Sequence, residues 1–472
     1  MKTFSPMTID CFKAYDIRGE LGVNLDETIA YRIGRAFAQI LLSQTSHTNP
    51  AIVIGCDIRP SSQQLKLSAI DGIIDAGVDV IDLGMTGTEE VYFATSYYDA
   101  IGGIEVTASH NPINYNGMKL VRENSKPISA DSGLADIQKL AQSGDFTEHQ
   151  QGKVTVNTDK TAYIDKLMSF INLDNLTPKT LVINSGNGSA GPVVNELQKR
   201  FKDANVPIEF INLHHTPDGS FPNGIPNPMI IANQKSTSDA VIKHQADIGI
   251  AFDGDFDRCF LFDETGRFIE GSYIVGLLAE SFLKKYPNEQ IVYDPRVIYN
   301  TQNIIDKNQG IKQISKSGHS FIKDVMRKTG AVYGGEMSAH HYFRDFFFCD
   351  SGMIVWLLVI ELLSVTKKTL SELVNDYIKE FPSSGELNFK LAGIQADDIK
   401  TALEAHYQNQ NFTKDTLDGL SLDFGHWRFN LRSSNTEPLI RLNIETCGDD
   451  LLLQDKINEI TSFLIRHQAI MA

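Results

Sequence analysis

Three aspartates alternate in the stretch Asp253-Gly254-Asp255-Phe256-Asp257-Arg258. Carboxylates this close repel one another unless a cation sits among them, and hard oxygen ligands select Mg²⁺ or Ca²⁺ over zinc. Gly254 permits a tight bend. No glutamate closes a twelve-residue loop, so the segment is not an EF-hand. Arg258 follows at once and is suited to a phosphate beside a metal. The competing reading is an acidic surface turn. A second loop, Thr107-Ala108-Ser109-His110-Asn111-Pro112, offers a serine next to turn-forming residues. A loop serine is either a helix cap or a nucleophile. Neither a Ser-His-Asp order nor a GxSxG elbow is required if the chemistry is phosphoryl transfer, where a serine facing a metal can carry the phosphate.

Lys119 follows in Asn116-Gly117-Met118-Lys119, close enough to move a proton or bind phosphate; a lone lysine is otherwise a solvated surface charge. A third loop, Gly335-Glu336-Met337-Ser338-Ala339-His340-His341, presents a carboxylate and a hydroxyl that suit vicinal sugar hydroxyls or, alternatively, a helix cap. Arg432-Ser433-Ser434-Asn435-Thr436-Glu437-Pro438, with Arg441 beyond, is either a phosphate cradle or an ordinary polar turn. Arg18, Arg59, Lys316 and His319 stand in short polar or glycine-bearing loops. Each alone reads as structural; several on one cleft would make it positive.

The elements that must position these loops repeat. β-rich runs alternate with helical patterns at 51–59, 78–85 and 102–106, again at 180–188, 206–213 and 246–255, and again at 290–296, 310–315 and 330–338. Such alternation predicts βαβ units and mainly parallel sheets. In each repeat the third strand runs into one of the three loops above, and ligands of open α/β sheets sit beyond the carboxyl ends of strands. The expected architecture is three related α/β mixed-sheet domains and a smaller C-terminal α+β domain around one central cleft. The expected bounds are 1–150 with the serine loop, 151–255 ending in the metal loop, 256–378 with the sugar loop, and 379–472 with the phosphate loop. The apolar run 353–363 is too short to span a bilayer and reads as a buried helix, with Trp356 in the core.

The 472 residues carry a net charge of −16, with 42% apolar and 22% charged residues. An acidic chain without a basic block is a poor nucleic-acid or anionic-membrane binder. The 5 scattered cysteines form no CxxC pair, and the first dozen residues lack an apolar signal stretch, so a soluble cytoplasmic protein is expected.

From Tyr15-Asp16-Ile17-Arg18-Gly19 through the serine, DGDFDR and GEMS loops to Arg432-Ser433-Ser434-Asn435-Thr436-Glu437-Pro438, the chain resembles the α-D-phosphohexomutases, and among them the bacterial phosphomannomutases. The resemblance implies that Ser109 carries a phosphate and that Asp253, Asp255 and Asp257, with the phosphate on Ser109, hold one Mg²⁺. It implies that Glu336 and Ser338 contact sugar hydroxyls. Arg432, Ser434, Asn435 and Thr436, with Arg441, would bind the non-transferred phosphate. Arg18, Lys119, Arg258 and His319 match polar positions of the catalytic cleft, with Lys119 or His319 moving the hydroxyl proton. The implied reaction is reversible conversion of mannose 6-phosphate and mannose 1-phosphate through a hexose 1,6-bisphosphate, in GDP-mannose synthesis. The alternatives are phosphoglucomutase, phosphoglucosamine mutase, a metal-dependent phosphatase and a sugar-phosphate sensor. Many members have glycine where this chain has Asn435 and Ala339, which bears on sugar specificity and leaves catalysis intact.

Overall fold

The computed structural model describes residues 4–129, 132–433 and 439–471. The chain folds as two compact units, one built from Met1–Phe268 with His340–Leu370, the other from Ile269–Ala339 with Ser371–Ala472.

The first unit holds two mixed sheets. In the first sheet the apolar strand Ala51–Cys56 lies centrally, parallel to both Asp79–Met85 and Gly102–Val106. The strand Gly102–Val106 then pairs antiparallel with Tyr115–Arg122. That reversal puts the serine loop in a hairpin connection at the carboxyl end of a buried strand. Helix Glu27–Gln44 covers the sheet with a stripe of Ile29, Ile33, Phe37 and Leu41, the spacing of one helical face. Its start is fixed by Asp26, whose carboxylate accepts the Ile29 N–H at 2.8 Å.

The second sheet repeats the plan. Lys179–Asn184 runs parallel to Ile208–Leu213 and Ile248–Phe252, and Ile248–Phe252 then pairs antiparallel with Cys259–Phe262. The metal-type loop is thus the same hairpin connection as the serine loop. The sheet extends beyond Asp255 through Cys259–Phe262 to Phe268–Ile269, because the hairpin partner of a central strand stays with it. Helix Gly352–Thr366 is buried from Met353 through Leu357, with Trp356 against Phe201 at 6.2 Å between ring centroids, as its all-round apolar sequence requires. Its one acidic residue, Glu361, accepts the Asn172 N–H at 3.0 Å.

In the second unit Gln290–Tyr293 lies parallel to Ile311–Ile314 and Tyr333–Gly335, and the Glu336 loop follows the last of these. The C-terminal part is an antiparallel sheet in the order Thr413–Asp415, Leu420–Asp423, Trp427–Ser433, Leu439–Thr446, Leu387–Leu391, Ala469–Met471. Its core packs leucines and isoleucines around aromatic rings, with Trp427 stacked on Phe424 at 4.2 Å. No helix among the described residues is long and apolar enough to cross a membrane.

Candidate active site

In the first unit the two hairpin loops meet. Ser109 Oγ donates to Asp253 Oδ2 at 2.5 Å and accepts from Arg258 Nη2 at 3.1 Å. The approach is possible because residue 254 is glycine: a Cβ there would lie 2.4 Å from the Ser109 carbonyl oxygen. Ser109 itself sits at φ 49°, a left-handed conformation that costs a non-glycine residue about 1–2 kcal/mol and persists only where its surroundings impose it.

Arg59 imposes it. Its guanidinium donates to the carbonyls of Ser109 at 2.9 Å, Asn111 at 2.6 Å, Pro112 at 2.9 Å and Tyr115 at 3.3 Å. Asp57 braces the same loop by accepting the Thr107 hydroxyl at 2.8 Å, and Thr107 Oγ1 accepts the Ser109 N–H at 2.8 Å. Arg59 is therefore a strap for the serine loop, not a phosphate ligand. Arg59→Met is expected to destabilise the fold by about 4 kcal/mol or more, because four buried or partly buried carbonyls at about 1–3 kcal/mol each lose their donor. Turnover should fall at least tenfold. Urea unfolding and steady-state kinetics measure both; an intact kcat at reduced stability would show that the loop holds its shape without the strap.

Asp253, Asp255 and Asp257 are fully or almost fully buried, and a carboxylate oxygen from each lies within 4.8 Å of the others. Arg258 pairs with Asp253 through Nε at 2.9 Å and Nη2 at 2.6 Å. Lys119, on strand Tyr115–Arg122, pairs with Asp255 at 2.8 Å and also with Asp257. Burial disfavours the Lys119 ammonium, yet the two aspartates outweigh it and hold the lysine protonated above its ordinary value. Burial also raises both carboxylates. At Asp255 the charge of Lys119 wins and holds it below the usual range, whereas Asp257 is pushed up by burial and by the charge of Asp255.

A metal fits these residues. Asp255 Oδ1 and Asp257 Oδ1 are buried without a hydrogen-bond partner among the described residues. Three carboxylates face two cations here, and the donor set is all oxygen, as Mg²⁺ prefers. Arg18 stands by the serine loop, donating to Asp16 at 2.8 Å and to the Thr107 carbonyl at 3.2 Å. Burial opposes its charge, but Asp16 outweighs that and keeps it above its ordinary value.

Some residues of this cluster carried no role from the sequence. His110 Nδ1 lies 3.0 Å from Ser109 Oγ and accepts from Arg258. His340 Nδ1 lies 3.0 Å from Asp350 and 4.0 Å from Asp257, and residue 340 bridges to Arg258. The GEMSAHH segment is therefore divided: Glu336 and Ser338 belong to the second unit, His340 to the first. Adjacent histidines ending a strand-end loop were the available signal.

The second unit gathers its own set. Arg296 donates to Asp294 at 2.8 Å, Ser338 Oγ at 3.2 Å and Glu336 at 3.4 Å. Glu336 also accepts the Gly318 N–H at 2.7 Å, which sets His319, first residue of helix His319–Thr329, beside the sugar-type loop. Glu386 gathers three guanidinium groups: Arg441 at 3.2 Å, Arg432 at 3.4 Å and Arg296 at 3.6 Å. Arg432 and Arg441 thus share a carboxylate with the arginine that holds Glu336 and Ser338. Ser434, Asn435 and Thr436 lie outside the described residues. Ala339 takes φ 69°. Glycine there would relieve about 1–2 kcal/mol of left-handed strain. It would lose about 0.8 kcal/mol of methyl burial and about 0.4–1 kcal/mol of chain entropy. The terms nearly cancel, so alanine is tolerated.

Comparison with known proteins agrees with this geometry. Models of the phosphoglucomutase/phosphomannomutase family match in order: alpha/beta/alpha domain I at residues 10–148, domain II at 161–266, domain III at 270–381 and the C-terminal domain at 386–460. A phosphomannomutase of Escherichia coli K12 is 55% identical over 97% of this chain and 99% of its own length. One from Vibrio cholerae is 54% identical over 97% of this chain and 98% of its own. The crystal structure of a phosphoglucomutase/phosphomannomutase family protein from Burkholderia thailandensis superposes with a TM-score of 0.85 at 30% identity, covering 98% of each chain. The chain therefore belongs to the phosphoglucomutase/phosphomannomutase family of phosphate-transferring enzymes.

Proposed function

We propose that the chain is a phosphomannomutase, interconverting mannose 6-phosphate and mannose 1-phosphate, and that Ser109 carries the phosphate. The observation that carries this reading is the Ser109 hydroxyl held between Asp253 and Arg258 at the meeting of two strand-end loops. In the forward half-reaction the P–Oγ bond of phospho-Ser109 breaks as a P–O bond forms to the sugar's free hydroxyl, whose proton leaves to a base. The product is a hexose 1,6-bisphosphate. Its other phosphoryl group then returns to Ser109, and the proton is given back to the oxygen that it leaves.

Arg258 lies on the oxygen that is bonded and released, so its charge acts where negative charge develops. A Mg²⁺ held by Asp253, Asp255 and Asp257, with the serine phosphate as a further ligand, would neutralise charge on the transferring group. Lys119 is engaged as a cation by Asp255 and Asp257, so we assign it to charge neutralisation. The proton passes to a histidine, His340, whose ring is oriented by Asp350. Arg18 attracts phosphate to the serine loop. Glu336 and Ser338, with His319 beside them, recognise sugar hydroxyls. Arg432, Ser434, Asn435, Thr436 and Arg441 anchor the phosphate that is not transferred. The reading places the reaction in the cytoplasm, in supply of nucleotide-linked mannose.

Mannose and glucose differ only at C2, and Glu336 and Ser338 suit hydroxyls that both share. One hydroxyl in a tolerant pocket is worth about 1–3 kcal/mol. Mannose 1-phosphate is therefore expected to be preferred over glucose 1-phosphate by roughly 10–200-fold in kcat/KM. Glu336→Ala should impair both alike, since it also removes one partner of Arg296 and the acceptor of the Gly318 N–H. Coupled assays on both sugar phosphates check this. A wild-type preference for glucose would make the enzyme a phosphoglucomutase, and a loss confined to one sugar would refute the shared-hydroxyl assignment.

A further inference from the structure

Thr88 begins helix Thr88–Tyr97 and is fully buried. Its backbone N–H donates to the Asp255 carbonyl at 3.2 Å. Its side-chain oxygen lies 2.6 Å from Asp255 Oδ2 and 3.1 Å from Lys119 Nζ. The direction of both bonds is forced. A lysine ammonium has donors only, so Thr88 Oγ1 accepts from Lys119 and spends its single proton on Asp255 Oδ2. Lys119 also donates to that same Oδ2 at 2.8 Å. One oxygen of Asp255 is thus saturated by two donors, and the other, Oδ1, is the buried one without a partner among the described residues.

The local backbone permits this contact. A Cβ on Gly87 would lie 2.1 Å from the Phe256 ring and 2.5 Å from the Asp255 carbonyl oxygen, so only glycine lets the helix start press against the metal-type turn. The helix is capped without Thr88, since the Gly87 N–H goes to the Glu90 carboxylate at 3.0 Å. The threonine hydroxyl is therefore not occupied as a cap. Nothing in the serine, aspartate or sugar loops marks residue 88.

We propose that Thr88 is a positioning residue for the divalent-cation site: it locks the Asp255 carboxylate so that Oδ1 faces the cation. The proposal rests on the reading that Asp255 is a metal ligand. Outer-shell donors that fix a ligand's orientation are typically worth 10–100-fold in metal affinity.

The test uses the full-length enzyme without substrate and Mn²⁺ as the probe, with free Mn²⁺ followed by electron paramagnetic resonance and Mg²⁺ added as competitor. Thr88→Val keeps the shape and removes the hydroxyl; it should weaken Mn²⁺ binding about 10–100-fold. Thr88→Ser keeps the hydroxyl and should bind close to wild type, a rescue that a purely space-filling role does not predict. Thermal unfolding in EDTA monitors the fold of each variant, and Thr88→Ala takes the place of valine should valine misfold. Mn²⁺ binding by the hydroxyl-free variants as tight as wild type would overturn the proposal. Wild-type binding retained in Asp255→Asn would overturn the metal assignment itself, and this role with it.

Discussion

Ser109→Ala is expected to lower mutase turnover by more than about 10⁴-fold, the scale of losing a nucleophile that acts as a unit with its partners. Intact-mass measurement should find a phosphate on the active wild-type enzyme and none on the variant. The substitution isolates chemistry from folding. The loop's shape comes from the Arg59 donors on its carbonyls, from Thr107 and from the close contact with Gly254, and none of these uses the serine hydroxyl. Alanine tolerates the left-handed backbone about as well as serine does. Asp253 keeps both bonds from Arg258 when the hydroxyl is gone. Stability should therefore fall by about 1–3 kcal/mol, because the hydroxyl bonds the charged Asp253 and Arg258 while both of those keep each other as partner. Turnover above one hundredth of wild type in a phosphate-free Ser109→Ala protein would exclude the covalent route.

The loops themselves were legible in the sequence because each follows an apolar strand and breaks the pattern with residues that have no business in a core. Ser109, Lys119, the three aspartates and Arg258 are indeed brought together, since both loops are the hairpin connections that close the same strand order in two sheets. Other roles were hidden for physical reasons. Arg59 looks from sequence like Arg18 or Arg258, a cation after a strand; only its geometry against four carbonyls reveals a strap. Thr88 and Glu386 belong to no motif, because their partners lie far along the chain: 31 and 167 positions away for Thr88, and 46 and 55 positions away for Arg432 and Arg441 at Glu386, with Arg296 farther still. The segment after Ala339 reads as the end of a third repeat, yet it joins the first unit. Its helix Gly352–Thr366 is apolar around most of its circumference and needs cover on more than one face, a demand that Phe201 and Cys259–Phe262 help to meet.

Arg258→Met should lower kcat by about 10³-fold, within the range for removing a preorganised cation from a phosphoryl transfer. One guanidinium serves two functions that this variant separates. Its Nη2 lies on the Ser109 oxygen, the atom whose bond to phosphorus would form and break in the proposed transfer. Its Nε and Nη2 also hold Asp253, a carboxylate that is 0% exposed. Removing one partner of such a buried pair leaves a charge unpaired, a destabilisation of about 3–5 kcal/mol. Methionine keeps the bulk, so the loss is electrostatic. Added Mg²⁺ stabilises whatever binds it in the folded state alone. Thermal unfolding of Arg258→Met should accordingly show a low Tm in EDTA and a larger Mg²⁺-induced rise than wild type, while kcat stays depressed. Arg258→Lys sharpens the separation: a point charge can balance Asp253 but cannot span Asp253 and Ser109 as the planar fork does. It should regain most of the stability and little of the rate. If Arg258→Met keeps more than a tenth of wild-type kcat with Mg²⁺ present, the arginine serves the fold of the loop and not the transfer.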